Sequence, residues 1–328
     1  MKLRPLFILA AVLLVLVGLK FVQKSSHESK LAESGFSELF PALAPGEIGR
    51  LVIDGPGPGA IELLRSGEAW RVESSHGHPA ADDKLERLLG ELVGLKGEFR
   101  SDRESVLADY ALDDKRAVHL IAYDLSGKEL GHLLLGERLT GAAGFFAMKA
   151  GEKRAYAAGG NLLGDIGVWG ENRDPVAKSF LDLKVLTVDR QQVDGIALAT
   201  GDKTLELSRA FDAPADTGAA GRSQYRWLAG KKELDRGKVD GVLGALANLQ
   251  AQDVLDPAAD HGFAEAGRAV ELRLADGSTR RLEFGRAISA PEAGVPLRVS
   301  GGSAVYLVYE KLPERIFKTR DELLPEKK

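Results

Sequence analysis

Apolar residues recur at every second position through several short stretches of the chain and at every third or fourth position in two others. Val118, Leu120 and Ala122 alternate with polar or small neighbours, as do Val270, Leu272 and Leu274. That period places one face of each segment in a core and predicts strands. Asp124-Leu-Ser-Gly127 follows the first run and Asp276-Gly-Ser278 the second, and Leu133-Leu-Leu-Gly136 and Leu282-Glu-Phe-Gly285 come next. Asp and Gly supply the backbone angles of a tight reversal, so each set predicts a hairpin.

Further pairs of short strands lie upstream, at Ile61-Glu-Leu-Leu-Arg65 with Trp70-Arg-Val72 and at Leu205-Glu-Leu-Ser-Arg209 with Trp227. A helical period follows each. Leu85, Leu88, Leu89 and Leu92 mark a helix from Asp82 to about Leu95, while Asp235 is placed to cap a second carrying Val239, Val242, Leu243, Leu246 and Leu249. Downstream, Phe146-Ala-Met148 and Arg154-Ala-Tyr156 match Leu297-Arg-Val299 and Ala304-Val-Tyr306.

The same order of elements therefore occurs twice, at a spacing of about 150 residues. The strongest match sets Arg116-Ala-Val-His-Leu-Ile-Ala-Tyr-Asp124 against Arg268-Ala-Val-Glu-Leu-Arg-Leu-Ala-Asp276. The expected fold class is α+β: two tandem repeats, each a mostly antiparallel β-sheet packed with one main amphipathic helix. The expected bounds are 47–168 for the first repeat, 169–190 for a linker with a short helix near Pro175, 191–318 for the second repeat, and 319–328 for a polar tail. Phe211 to Arg222, rich in Ala, Gly and Asp, reads as a loop inserted in the second copy.

Ahead of the repeats the pattern changes character. A basic lead, Met1-Lys-Leu-Arg-Pro5, precedes fourteen uncharged apolar or small residues, Leu6 to Leu19, and Phe21 and Val22 extend the run. Seventeen residues of helix rise about 26 Å, close to the hydrocarbon thickness of a bilayer. The expectation is a transmembrane anchor over residues 1–23, crossing with residues 6–22, then a polar tether over 24–46. A cleaved signal is the alternative, but Gly18-Leu-Lys-Phe-Val-Gln-Lys24 puts bulky or charged residues where a peptidase selects small ones. Lysines and arginines are nearly balanced across the segment, and the export-like layout favours a cytoplasmic N-terminus with the folded part in the periplasm.

The composition narrows the chemistry. Of 328 residues, 44 are Lys or Arg and 48 Asp or Glu, with no long run of either sign, which does not suit a phosphate backbone and excludes nucleic acid as an expected partner. There is no cysteine, hence no disulfide, thiolate metal site or cysteine nucleophile. No Gly-x-Ser-x-Gly elbow, His-Glu-x-x-His or phosphate-binding motif occurs, and Gly55-Pro-Gly-Pro-Gly59 precedes a strand rather than a helix and reads as a turn. His76, His78 and Asp82 are the nearest approach to a metal-ligand set, but no metal is expected there, since Asp82 reads more simply as a helix cap. His119 and His132 are expected on one hairpin face, able to pair with each other or through a metal, although their counterparts, Glu271 and a residue near Arg281, favour a solvated polar face instead. Trp70 and Trp227, at matching positions, are expected to be core anchors. No cofactor is expected.

Trp70, Pro79-Ala-Ala-Asp82, the leucine helix, Tyr110-Ala-Leu-Asp113, the strand ending Leu135-Gly136, and Asn172-Arg-Asp174 with Phe180 to Val188 resemble the bacterial family catalogued as domain of unknown function 4340. Where that family tends to have Gly-Leu-Asp-x-Pro, this chain has Ala111-Leu-Asp-Asp-Lys115 and Gly262-Phe-Ala264. The resemblance implies a single-pass membrane-anchored accessory protein with units in tandem, of a kind often encoded beside gliding-motility-type ABC transporter components. It supplies no catalytic residues. The expected function is a non-enzymatic extracytoplasmic binding or scaffold protein whose partner is an envelope protein such as an ABC permease or substrate-binding component. The alternative is a small-molecule or glycan-binding module with its cleft between the repeats.

Overall fold

The computed structural model describes residues 35–211, 225–290 and 292–326. The expected anchor, residues 6–22, lies outside them, as does the inserted loop from residue 212 onward. Among the described residues no helix is long and apolar enough to cross a membrane. The chain packs as two units: the first runs to Ser74 and resumes at Pro79–Phe180, and the second takes Ser75–His78 together with Leu181 onward. Both are mostly antiparallel sheet with few helices, a sheet-rich α+β fold.

Ten strands make the sheet of the first unit: β1 (Phe36–Glu38), β2 (Ile48–Asp54), β3 (Ile61–Ser66), β4 (Ala69–Val72), β5 (His78–Pro79), β6 (Lys96–Ser101), β7 (Val118–Asp124), β8 (Glu129–Arg138), β9 (Phe145–Lys149) and β10 (Ala155–Ala158). Their order is β1-β6-β10-β9-β8-β7-β2-β3-β4-β5. Two meanders, β2–β4 and β7–β10, meet along the antiparallel β2–β7 ladder. Alternation puts Leu51, Ile53, Leu63, Leu120, Leu133 and Leu135 in the core, where each contributes about 1.5–3 kcal/mol of burial. Helix α1 (Asp82–Leu92) buries Leu85, Leu88, Leu89 and Leu92, and a four-residue turn of helix, α2 (Leu162–Asp165), buries Leu162 and Leu163.

Three details differ from expectation here. Helix α1 stops at Leu92 rather than Leu95, and Gly94 then adopts a φ of +70° that few other residues tolerate. Its N-cap is Ala81, which makes no side-chain bond, so Asp82 sits inside the first turn and favours the helix only through the positive end of the dipole. Phe36–Glu38, within the expected tether, is a strand that pairs antiparallel with β6, Phe36 opposite Glu98 and Glu38 opposite Lys96. A three-residue edge strand has too few positions to display an alternating pattern.

The second unit holds β11 (Lys184–Thr187), β12 (Val193–Thr200), β13 (Lys203–Phe211), β14 (Tyr225–Ala229), β15 (Lys232–Glu233), β16 (Asn248–Gln250), β17 (Asp253–Leu255), β18 (Arg268–Leu274), β19 (Thr279–Phe284), β20 (Val295–Val299) and β21 (Val305–Val308). Nine form a sheet in the order β15-β14-β13-β12-β18-β19-β20-β21-β17, and β11 pairs separately with β16. Helix α3 (Arg236–Ala247) buries Val239, Val242, Leu243 and Leu246. It ends before Leu249, which is buried on β16 instead. Short helices α4 (Phe263–Ala266) and α5 (Leu312–Ile316) complete the unit, α5 packing on α3. The expected linker thus contributes β11 and, at Ala177–Ser179, only a 3-10 turn. The expected polar tail sends Leu323 into the core, and its carbonyl accepts from Asp235 N–H at 2.8 Å.

Asp235 caps α3 as its sequence position predicts, accepting from Lys238 N–H at 2.9 Å. Asp235→Ala is therefore expected to cost about 1 kcal/mol, whereas Asp82→Ala is expected to cost no more than a few tenths. Urea unfolding of the two variants checks the contrast, and equal losses would contradict the two capping geometries.

Candidate functional site

Both expected tryptophan anchors are buried, and each lies directly across a strand pair from an arginine: Trp70 opposite Arg65 and Trp227 opposite Arg209. The arginine covers the indole in both places, with its guanidinium carbon 5.5 Å from the Trp70 ring centre and 4.8 Å from that of Trp227. It then donates to main-chain carbonyls of the 3-10 turn before the unit's first long strand. Arg65 Nη1 is 2.9 Å from the Gly46 oxygen, and Arg209 reaches the oxygens of Gln191 at 3.2 Å and Arg190 at 3.0 Å. Sequence periodicity located the tryptophans but gave no sign of the arginines, because their partners are backbone atoms.

In the second unit this pair borders a cavity of about 280 Å³ lined by Arg190, Gln191, Arg209, Tyr225, Arg236 and Asp240 among others. Tyr225 stands between guanidinium groups, 4.2 Å from Arg209 and 3.9 Å from Arg236. Asp240, on α3, accepts from the Tyr225 hydroxyl at 2.9 Å and from Trp227 Nε1 at 3.0 Å, and lies 3.5 Å from Arg236 Nε. The lining thus sets guanidinium groups, an aromatic ring and a carboxylate side by side.

His76, His78 and Asp82 do not form a ligand set. His78 is buried in the second unit, its Nε2 donating to the Asp182 carbonyl at 2.7 Å and its ring edge-on to Tyr306 at 5.4 Å. Tyr306 itself has its phenol pKa pushed up by burial and by Asp182 nearby. His76 sits at a φ of +58°, about half exposed, with Nδ1 4.0 Å from an Asp256 oxygen. Asp82 opens α1 in the first unit. Among the described residues no three His, Cys, Asp or Glu side chains converge as a metal site.

His119 and His132 do meet. They stand on adjacent strands β7 and β8, His119 Nδ1 lying 2.9 Å from His132 Nε2 with ring centres 5.2 Å apart. One nitrogen donates and the other accepts. Burial first, and then the neighbouring His119, hold His132 below the usual imidazole pKa, with Glu129 acting in the opposite sense.

Gly55 to Gly59 is the turn between β2 and β3. Gly57 N–H donates to Asp174 Oδ1 at 2.7 Å, and a Cβ on Gly57 would come within 2.5 Å of that oxygen. The Asn172-Arg-Asp174 segment is thus a clasp. Asp174 holds this turn, while Arg173 donates to the Arg116 carbonyl at 2.6 Å and to the Leu135 carbonyl at 2.8 Å. Burial lowers the Arg173 pKa, as expected of a guanidinium taken from water. At Ala111, where the resemblance expects glycine, φ is +51°, a left-handed conformation costing an L-residue about 1 kcal/mol.

The topology defines a sheet-rich α+β protein. It belongs to the family described as Domain of unknown function (DUF4340), whose family model matches residues 70–267, from the Trp70 anchor to the glycine before β18. No curated protein matches it, and no solved structure does.

Proposed function

We propose that this is a non-enzymatic binding or scaffold protein, fixed in the cell inner membrane by residues 6–22, with its folded units in the periplasm, serving an ABC-type export or gliding-motility-like complex. The observation that carries the reading is where buried polarity goes. Among the described residues the buried polar residues are His78 and Arg209, and both donate to main-chain carbonyls, while the buried Asp165 side chain pairs with Arg87 Nε at 3.0 Å. Catalysis needs titratable groups held in a cleft with perturbed affinities for protons, and His78 and Arg209 are committed to holding backbone in place. The membrane and periplasmic parts rest on the apolar run at residues 6–22 and its basic lead.

The two units are, in this reading, tandem copies of one body. Reversing the second sheet order aligns β17, β21, β20, β19, β18, β12, β13, β14 and β15 with β6, β10, β9, β8, β7, β2, β3, β4 and β5 in turn. The central ladders share an irregularity, with one extra residue between Ile48 and Arg50 and one between Val193 and Gly195. This register equates Asp124 with Leu274, two residues away from the partner that the sequence match selects. A two-residue shift keeps every side chain on its own face, so alternation alone cannot detect it.

The test uses the full chain in cells. It is expected to sediment with membranes and resist high-salt extraction, to be cut by protease added outside spheroplasts, and to crosslink to a permease or substrate-binding subunit of an ABC-type complex. Deleting residues 1–23 should move it to the soluble fraction. A protease-protected chain, or crosslinks to itself alone, would sink the proposal.

A further inference from the structure

We propose that His119 and His132 form a binding site for a divalent transition-metal ion of the imidazole-preferring class. Imidazole nitrogens held about 2.0–2.1 Å from one ion stand about 2.9 Å apart at a right angle and about 3.3 Å apart at the tetrahedral angle. The observed separation of 2.9 Å lies at the first of these, on two strands that the β7–β8 ladder already fixes. The ring centres stand 5.2 Å apart, so the two nitrogens point nearly at each other, and each ring must turn by roughly 45° to bring its lone pair onto a shared ion. Each ring keeps one proton on its other nitrogen, so two neutral imidazoles present two lone pairs and no net proton is lost.

The surroundings also favour a cation. His132 borders a surface hollow of about 300 Å³ whose charged lining is Glu38, Glu129, Glu152 and Lys149, three carboxylates against one ammonium. The charge of Glu129 is felt at the His132 ring. With two protein ligands the remaining positions belong to water, which makes the site open and exchangeable rather than structural. Imidazole ligation selects zinc, copper or nickel over magnesium or calcium.

The probe is Zn²⁺ alone, titrated at neutral pH into the full chain purified in detergent and followed by calorimetry and by the histidine ring signals in nuclear magnetic resonance. One saturable site is expected, with a dissociation constant below about 1 mM. The ring signals of His119 and His132 should move, His119→Gln and His132→Gln should each weaken binding at least about tenfold, and His76→Gln should leave it unchanged. Ring signals of the native chain that do not respond to Zn²⁺ would overturn the site whatever the variants do to folding. So would binding that persists undiminished in His119→Gln and His132→Gln.

Discussion

Trp227→Ala is expected to lower stability by about 3–5 kcal/mol, the range for deleting a fully buried large aromatic. Trp227 has no solvent exposure and belongs to the core cluster that includes Val239, Val242 and Leu243 of α3. Its loss removes more than volume. Asp240 would lose the Nε1–H that now donates to it at 3.0 Å, and the Arg209 guanidinium would lose the ring that covers it at 4.8 Å while remaining in a buried position. Trp227→Phe separates these effects. It keeps most of the apolar contact but leaves Asp240 one donor short, so about 1–2 kcal/mol is expected. Denaturant unfolding of the full chain, followed by circular dichroism, measures both, and an alanine variant within 1 kcal/mol of the native chain would refute the anchoring role.

Gly136→Val is expected to cost about 3 kcal/mol, at the upper end for overpacking. A Cβ at position 136 would run into the Tyr110 carbonyl oxygen and approach Leu112 Cδ2 to 2.9 Å. That oxygen cannot simply retreat, because it accepts from Glu137 N–H at 2.8 Å. The second unit repeats the arrangement, with a Cβ at Gly285 meeting the His261 carbonyl oxygen, which accepts from Arg286 N–H at 2.9 Å. Gly90→Ala, in α1 where an added Cβ meets nothing, is the matched control and should gain up to about 1 kcal/mol. Thermal melting of the pair decides the matter, and similar shifts at both positions would show that the glycine at the end of β8 is not sterically required.

These two sites also mark what sequence reasoning reaches. The glycine after the second apolar run of each long hairpin, Gly136 and Gly285, is visible as a motif, but only the structure supplies its cause, a carbonyl from a distant turn. The hairpins, both main helices and the Asp235 cap were legible because each follows from local spacing. The edge strand β1, the β11–β16 pair and the burial of Leu323 were not, since all depend on partners far along the chain. For the candidate sites the division is the same. His119 and His132 can be paired from strand alternation, whereas nothing in the local sequence shows that the His78 ring donates to the Asp182 carbonyl. The arginine beside each tryptophan is ordinary in sequence and becomes informative only through the backbone oxygens it gathers.

The joining of two meanders by a single central ladder has a consequence for how each body assembles. Within a meander every pairing closes a short loop, so β2–β4 and β7–β10 can form with little entropic penalty. The β2–β7 ladder instead brings together strands separated by four strands and a helix, and the β12–β18 ladder strands separated by five strands and two helices. Such distant pairings reward the chain only after that longer closure, so the meander halves are expected to form before their union, and substitutions in the joining ladders are expected to slow refolding more than substitutions at the hairpin turns.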